Sequence, residues 1–184
     1  MTPSAHVSGI LHIDTVALPN GGAIGMLGCP GRNGIDGEGR QWSRTLADDL
    51  EAIRAWRADM LVSLIEPHEF IKLGVPDFTR AIADAGIRWH HVPIRDMQTP
   101  DLVTAAAWQR SGPELLAALR GGGRIAVHCA AGLGRTGTVS AKIMVALGTP
   151  ATVAIEQVRL ARPGTIETTE QEQYVLHGPP LSVI

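Results

Sequence analysis

The apolar run from Met60 to Ile65 constrains this chain more than any other feature. A short, uninterrupted apolar segment of that kind reads as a strand buried on both faces, which belongs in a parallel sheet covered by helices. Ile87–Ile94 and Arg124–His128 read as further strands. Ile10–Leu18 and Ala23–Leu27 read as two more, joined by the turn Pro19-Asn20-Gly21-Gly22. Between them lie helical patterns. Trp42–Trp56 has Leu46, Leu50 and Ile53 at helical spacing, with Asp48, Asp49 and Glu51 toward the outer face. Asp77–Ala85 starts after Pro76 and stops at Gly86. Asp101–Leu119 is long and amphipathic, with Gly112-Pro113 as a point where it can break. Gly28–Gly39 reads as a Gly-rich loop carrying Arg32. Beyond Arg124–His128 come a helix of small residues to Leu147, then Pro150–Ala161 and Thr168–Leu176. Strands alternating with helices predict an α/β fold: one domain over residues 1–184, with a central, mostly parallel sheet flanked by helices.

The chain has 184 residues, 45% of them hydrophobic, and a formal net charge of −2. That balance argues against a basic nucleic-acid binder and against an acidic solvating tail. Aromatic residues are scarce, so the core must be aliphatic, and Trp42, Phe78 and Trp89 are expected in it. Two cysteines, Cys29 and Cys129, make no disulfide framework, so reduced thiols are expected. The N-terminus lacks a signal-peptide pattern, and no apolar stretch is long enough to span a membrane. A cytoplasmic monomer that binds neither membrane nor nucleic acid is the expectation.

The chemistry concentrates between Arg124 and Gly137. Here a strand runs into Cys129-Ala130-Ala131-Gly132-Leu133-Gly134-Arg135-Thr136-Gly137 and then into a helix. A helix N-terminus offers unpaired N–H groups and partial positive charge, which suits an anion. Gly132 and Gly134 permit the backbone angles that turn successive amides into a phosphate-sized nest. Cys129 stands at one end and Arg135 at the other, where a planar guanidinium can grip two oxygens of a tetrahedral oxyanion. This setting should favour the thiolate of Cys129, an in-line nucleophile beneath a bound phosphoryl group. Thr136 is placed to donate to the sulfur, and His128 to brace the Cys129 backbone.

His128 to Thr136 resembles the protein tyrosine phosphatase signature H-C-x-x-G-x-G-R-[ST], with every fixed position filled. His90-His91-Val92-Pro93-Ile94-Arg95-Asp96, with Thr99-Pro100-Asp101 after it, is similar to the general-acid loop of the kinase-associated phosphatase branch of the dual-specificity group. The resemblance implies a phosphatase-type phosphate-binding loop between the last strand and a helix. It also implies a phosphocysteine on Cys129, with phosphate held by Arg135 and by residues Ala130, Ala131, Gly132, Leu133 and Gly134. Asp96 becomes the general acid and then the base. Asp101 is its competitor, but after Pro100 it reads better as a helix start. The chain departs from the family at Glu167, where a Gln that positions the hydrolytic water is usual; Gln171, four residues on, can share its helix face.

Two other classes stay in view. Gly132-x-Gly134-x-x-Gly137 also spells a dinucleotide-binding fingerprint, and Glu156 lies at a tempting distance for its ribose acid. A phosphopeptide-binding pseudophosphatase is the third class, although nucleophile, arginine and acid are all retained. Cys29 reads as an inert loop residue, with redox pairing to Cys129 as the alternative. His90 and His91 face opposite sides of a strand, and His12 with Asp14 supplies only two ligands, so no metal is expected; nor is a cofactor. No Lys stands between Cys129 and Arg135, which favours a protein phosphomonoester with little surrounding charge. Phosphotyrosine, phosphoserine, phosphothreonine and small phosphorylated molecules all remain open.

Overall fold

The computed structural model describes residues 6–7, 9–37 and 39–182. In chain order its elements are β1 (His6–Val7), β2 (Asp14–Ala17), β3 (Ala23–Leu27), β4 (Asn33–Ile35), β5 (Gln41–Ser43), α1 (Leu46–Ala55), β6 (Met60–Ser63), α2 (Pro67–Lys72), α3 (Phe78–Asp84), β7 (Trp89–His91), α4 (Leu102–Arg120), β8 (Arg124–His128), α5 (Gly134–Ala146), α6 (Ala151–Ala161) and α7 (Thr169–His177). Five strands form the main sheet in the order β2-β3-β8-β6-β7. Only β2 runs antiparallel, paired with β3 across the turn at Pro19–Gly22. β3, β8, β6 and β7 are mutually parallel. Every residue of β3 and β6 is buried, as an apolar strand between two layers should be. The predicted α/β fold is the observed one.

β8 lies at the middle of the sheet, hydrogen-bonded to β3 on one side and β6 on the other. α5 follows it and packs against β3 and β8, with α6 and α7 against α5. The loop between β8 and α5 therefore emerges from the most constrained part of the molecule, at the carboxyl end of parallel strands, where open α/β sheets place their ligands.

Several boundaries differ from the sequence reading. The helix expected over Trp42–Trp56 begins at Leu46. Residues 41–43 instead pair antiparallel with β4, and the Asp36 carboxylate accepts the Trp42 indole N–H at 2.8 Å, fixing the hairpin. Trp42 is thus outside the aliphatic core, whereas Phe78 is fully buried and Trp89 packs against the core. The loop expected over Gly28–Gly39 contains β4. α4 passes through Gly112-Pro113 unbroken, because the missing Cβ of Gly112 leaves room for the Trp108 indole. α2 escaped the sequence reading altogether. Its local code is nevertheless present: Pro67 at the first position and a reciprocal capping box between Glu66 and Glu69.

Candidate active site

The segment from His128 to Arg135 is fixed from outside by its carbonyl groups. His128 is fully buried, and its Nδ1 lies 3.2 Å from the Cys129 carbonyl. A carbonyl only accepts, so Nδ1 carries the proton and Nε2 must accept from Ser63 Oγ at 2.6 Å. Ser63 Oγ in turn accepts from the Trp89 indole at 2.8 Å. Burial pushes the His128 imidazole down to about 4, so it stays neutral and acts as the brace expected. The Ala130 carbonyl accepts from the Cys29 amide at 3.1 Å and from Arg32 at 3.4 Å. Ala131 O accepts from Arg162 at 3.0 Å, Leu133 O from the Gly137 amide at 2.8 Å, and Gly134 O from Thr138 Oγ1 at 2.7 Å.

With the carbonyls tied back, the amides are what the loop offers. Among the described residues, the N–H groups of Ala130, Ala131 and Leu133 make no hydrogen bond. The Gly132 amide donates to Cys129 Sγ at 3.2 Å. Gly132 has φ +77°, and a Cβ there would lie 2.4 Å from the Leu27 carbonyl, so both conformation and space require glycine. Gly132 thus takes the backbone form expected of it, whereas Gly134 is not in the positive-φ region and its amide donates to Glu167 Oε2.

Arg135 is 2% exposed, and Glu69 holds it in a two-pronged pair at 2.6 and 2.9 Å. Nη1 also donates to Ile94 O at 3.0 Å, and Nη2 lies 2.9 Å from Asp96 Oδ1. Burial works to lower the Arg135 pKa, but the Glu69 hydrogen bonds and the neighbouring negative groups outweigh it and hold the guanidinium protonated. The same pair holds Glu69 below the usual carboxylate range against its own burial. Glu69 was not singled out from the sequence. Its only local signal is the capping box, whose N3 carboxylate here also reaches Arg135.

The structure separates the two candidate carboxylates. Asp96 is 64% exposed by side chain and lines a cavity of about 210 Å³ together with Cys129 and Arg135. Asp101 caps α4, accepting the Val103 and Thr104 amides at 3.0 and 3.1 Å. Its expected place as a helix start is the observed one. Glu167 Oε2 accepts the Gly134 amide at 2.7 Å, so a carboxylate already sits on the first turn of α5. Gln171 is buried, and its Oε1 accepts the Glu167 and Thr168 amides at 2.9 and 3.3 Å, while its Nε2 approaches the Gln98 carbonyl at 3.5 Å. Both line the cavity. Thr136 is buried and its Oγ1 has no hydrogen-bond partner, so the expected donation to sulfur is not made here.

Cys29 is buried, and burial pushes its thiol up, which suits the inert reading. Both cysteines are free. His90 turns to Glu114 and His91 to the Ile65 carbonyl, so the two histidines share no ligand. Among the described residues no group of three His, Cys, Asp or Glu could hold a metal ion. The dinucleotide reading lacks its architecture: among the described residues β8 is the last strand and only helices follow it, and Glu156 lies within α6. Charge reaches the cavity from outside the Cys129–Arg135 stretch, where the sequence shows no Lys. Arg32, Asp36, Arg40 and Glu167 all line the cavity, brought there by segments remote from the loop.

The comparisons with known proteins agree with this geometry. A family model described as "Polymorphic toxin system, DSP-PTPase phosphatase" matches residues 36–149, more than half of the chain. The chain belongs to this family. It is 29% identical over 135 residues to cyclin-dependent kinase inhibitor 3 of Rattus norvegicus, covering 72% of this chain and 62% of that protein. It is 34% identical over 95 residues to tyrosine-protein phosphatase CDC14 of Saccharomyces cerevisiae (strain ATCC 204508 / S288c), covering 51% of this chain and 17% of that one. The chain thus spans less than two thirds of these relatives. Its fold is similar to that of a kinase associated phosphatase crystallised with its catalytic-site cysteine replaced by serine. That match has a TM-score of 0.77 and 25% identity, over 92% of this chain and 94% of the other. The likeness to the kinase-associated branch is as the sequence implied. Among the described residues no helix is long and apolar enough to cross a membrane.

Proposed function

We propose that residues 1–184 form one catalytic domain that hydrolyses phosphomonoesters of proteins, phosphotyrosine and also phosphoserine or phosphothreonine, through a phosphocysteine on Cys129. The observation that carries this reading is the convergence of Cys129, Arg135 and Asp96 on one cavity beside a loop whose Ala130, Ala131 and Leu133 amides are uncommitted. The phosphoryl group enters above Sγ, and its oxygens take the loop amides and the Arg135 Nη2 position that Asp96 now occupies. Sγ forms the P–S bond as the P–O bond to the leaving group breaks, and Asp96 protonates the departing oxygen. Water then attacks phosphorus, Asp96 takes its proton, and the P–S bond breaks to return thiolate and inorganic phosphate.

Arg135 and the loop amides supply the positive charge that a metal would otherwise bring. Glu69 aligns Arg135, and His128 aligns the Cys129 backbone. Thr136 Oγ1, unpartnered beside the loop, is the donor for the departing thiolate, and Gln171 with Glu167 flanks the water's approach. Ile35 and Met97, both exposed at the rim, suit a protein substrate. We place this activity in a reducing compartment such as the cytoplasm, which keeps both thiols free, and assign it to a monomer. The test is Cys129→Ser: turnover of an aryl phosphate in the presence of a chelator should vanish while phosphate or vanadate still binds. Substantial residual turnover in that variant, or a strict demand for a divalent ion, would overturn the reading.

A further inference from the structure

Arg32 stands between two cavities. One is the catalytic cavity of about 210 Å³; the other, of about 180 Å³, shares Arg32, Asp96 and Ala130 with it and carries Lys72 on its wall. The Arg32 guanidinium stacks on the Trp42 ring at 4.2 Å, which fixes its plane, and its side chain is only 12% exposed. Among the described residues it makes a single hydrogen bond, the long one to Ala130 O at 3.4 Å. Its nearest carboxylate oxygen, on Asp36, is 3.7 Å away, beyond hydrogen-bond reach, and that same oxygen already accepts from Arg40 and from the Trp42 indole. Glu69 and Asp96, the other acids on the second cavity, both pair with Arg135. A nearly buried guanidinium with most of its five donors unused carries a desolvation penalty with little return. A side chain of that kind, rigidly stacked and aimed at open space, has the form of an anion site.

We propose that Arg32, backed by Lys72, binds a second anionic group on the substrate, so that the enzyme selects phosphopeptides with an acidic or second phosphorylated residue next to the scissile phosphoryl residue. This inference rests on the phosphatase reading above and names its substrate class. Arg32 touches the phosphate-binding loop itself through Ala130, so the second anion must lie on a residue adjacent to the one being hydrolysed.

The experiment compares kcat/KM for three phosphotyrosine peptides that differ at one neighbouring position: Ala, Glu or phosphothreonine. The Glu and phosphothreonine arms separate the two sources of the anion. The wild type should favour at least one of them about tenfold over Ala, the scale of one charge-assisted hydrogen bond, and raised salt should shrink that preference. Arg32→Gln should bring the ratio to within roughly twofold, the scale of a screened surface charge. Arg32→Glu should turn the preference toward a Lys-flanked peptide, an outcome that loss of structure cannot produce. Equal kcat/KM for all three peptides in a wild type that hydrolyses them, or a preference that survives Arg32→Gln, overturns the Arg32 site alone. A wild type inert toward every peptide and toward an aryl phosphate overturns the phosphatase reading and this inference with it.

Discussion

The loop from His128 to Arg135 and the segment from Arg95 to Asp101 face each other across one cavity, yet they are built on opposite principles. The first is largely buried, its carbonyls tied to the Cys29–Arg32 segment, to Arg162 and to the start of α5, and its arginine clamped by Glu69. The second is open: Asp96 is mostly solvent-exposed, and the turn after it passes through Met97 at φ +58°. A charge-stabilising cradle gains from donors that need no reorganisation at the moment of reaction. On the proposed mechanism a proton donor must first leave Arg135 and then serve both half-reactions, so exposure suits it. The difference therefore assigns, on that mechanism, the charge to the buried region and the proton to the open one.

That comparison breaks most visibly at the acid. Asp96→Asn should lower phosphopeptide turnover by about 10²–10⁴, with a much smaller loss on a nitrophenyl ester whose leaving group needs no proton. It should also flatten the alkaline limb of the pH–rate profile. If Asp101→Asn removes that limb and Asp96→Asn does not, the roles are reversed. On the rigid side, Arg135→Lys keeps the charge but loses the fork that meets Glu69 and the phosphate. By the scale of a lost oxyanion donor, kcat should fall about 10²–10³-fold. A variant within a few-fold of wild type would mean that Arg135 does not face the phosphate.

A stability measurement sharpens the same contrast. The folded protein keeps His128 neutral down to about 4, whereas the unfolded chain takes up that proton near 6.5. The stabilisation is therefore complete above pH 6.5 and is lost as pH falls through 4, amounting to up to about 3 kcal/mol. Chemical denaturation across that window should show a flatter profile for His128→Asn than for wild type; identical slopes would mean His128 is not the titrating group. On the open side, Asp101→Ala should remove only a helix cap, about 1 kcal/mol of stability, and leave the pH–rate profile unchanged.

Legibility divides along the same line. The cradle lies within one short stretch of chain, so strand, glycines, Cys129 and Arg135 can be read together from spacing alone. Its supports cannot. Glu69 is separated from Arg135 by 66 positions and Arg32 from Ala130 by 98, and only the sheet order brings them together. Trp42 misled because its apolar ring fits a helical period, whereas an indole bond to Asp36 and pairing with β4 decide the hairpin. Asp101 was legible as a cap because capping is local. Asp96 needed the resemblance, since no local rule distinguishes an acid that faces a cavity from one that faces water.

The central claim is that Cys129 carries the phosphoryl group between the two half-reactions. Acid quenching during steady-state turnover of a phosphopeptide, followed by mass spectrometry of the digested protein, tests it directly. The account predicts phosphate on the peptide containing Cys129, and more of it in Asp96→Asn with an activated ester, where the second step lacks its base. Phosphate on any other residue, or vigorous turnover with no labelled Cys129 in either protein, would contradict it.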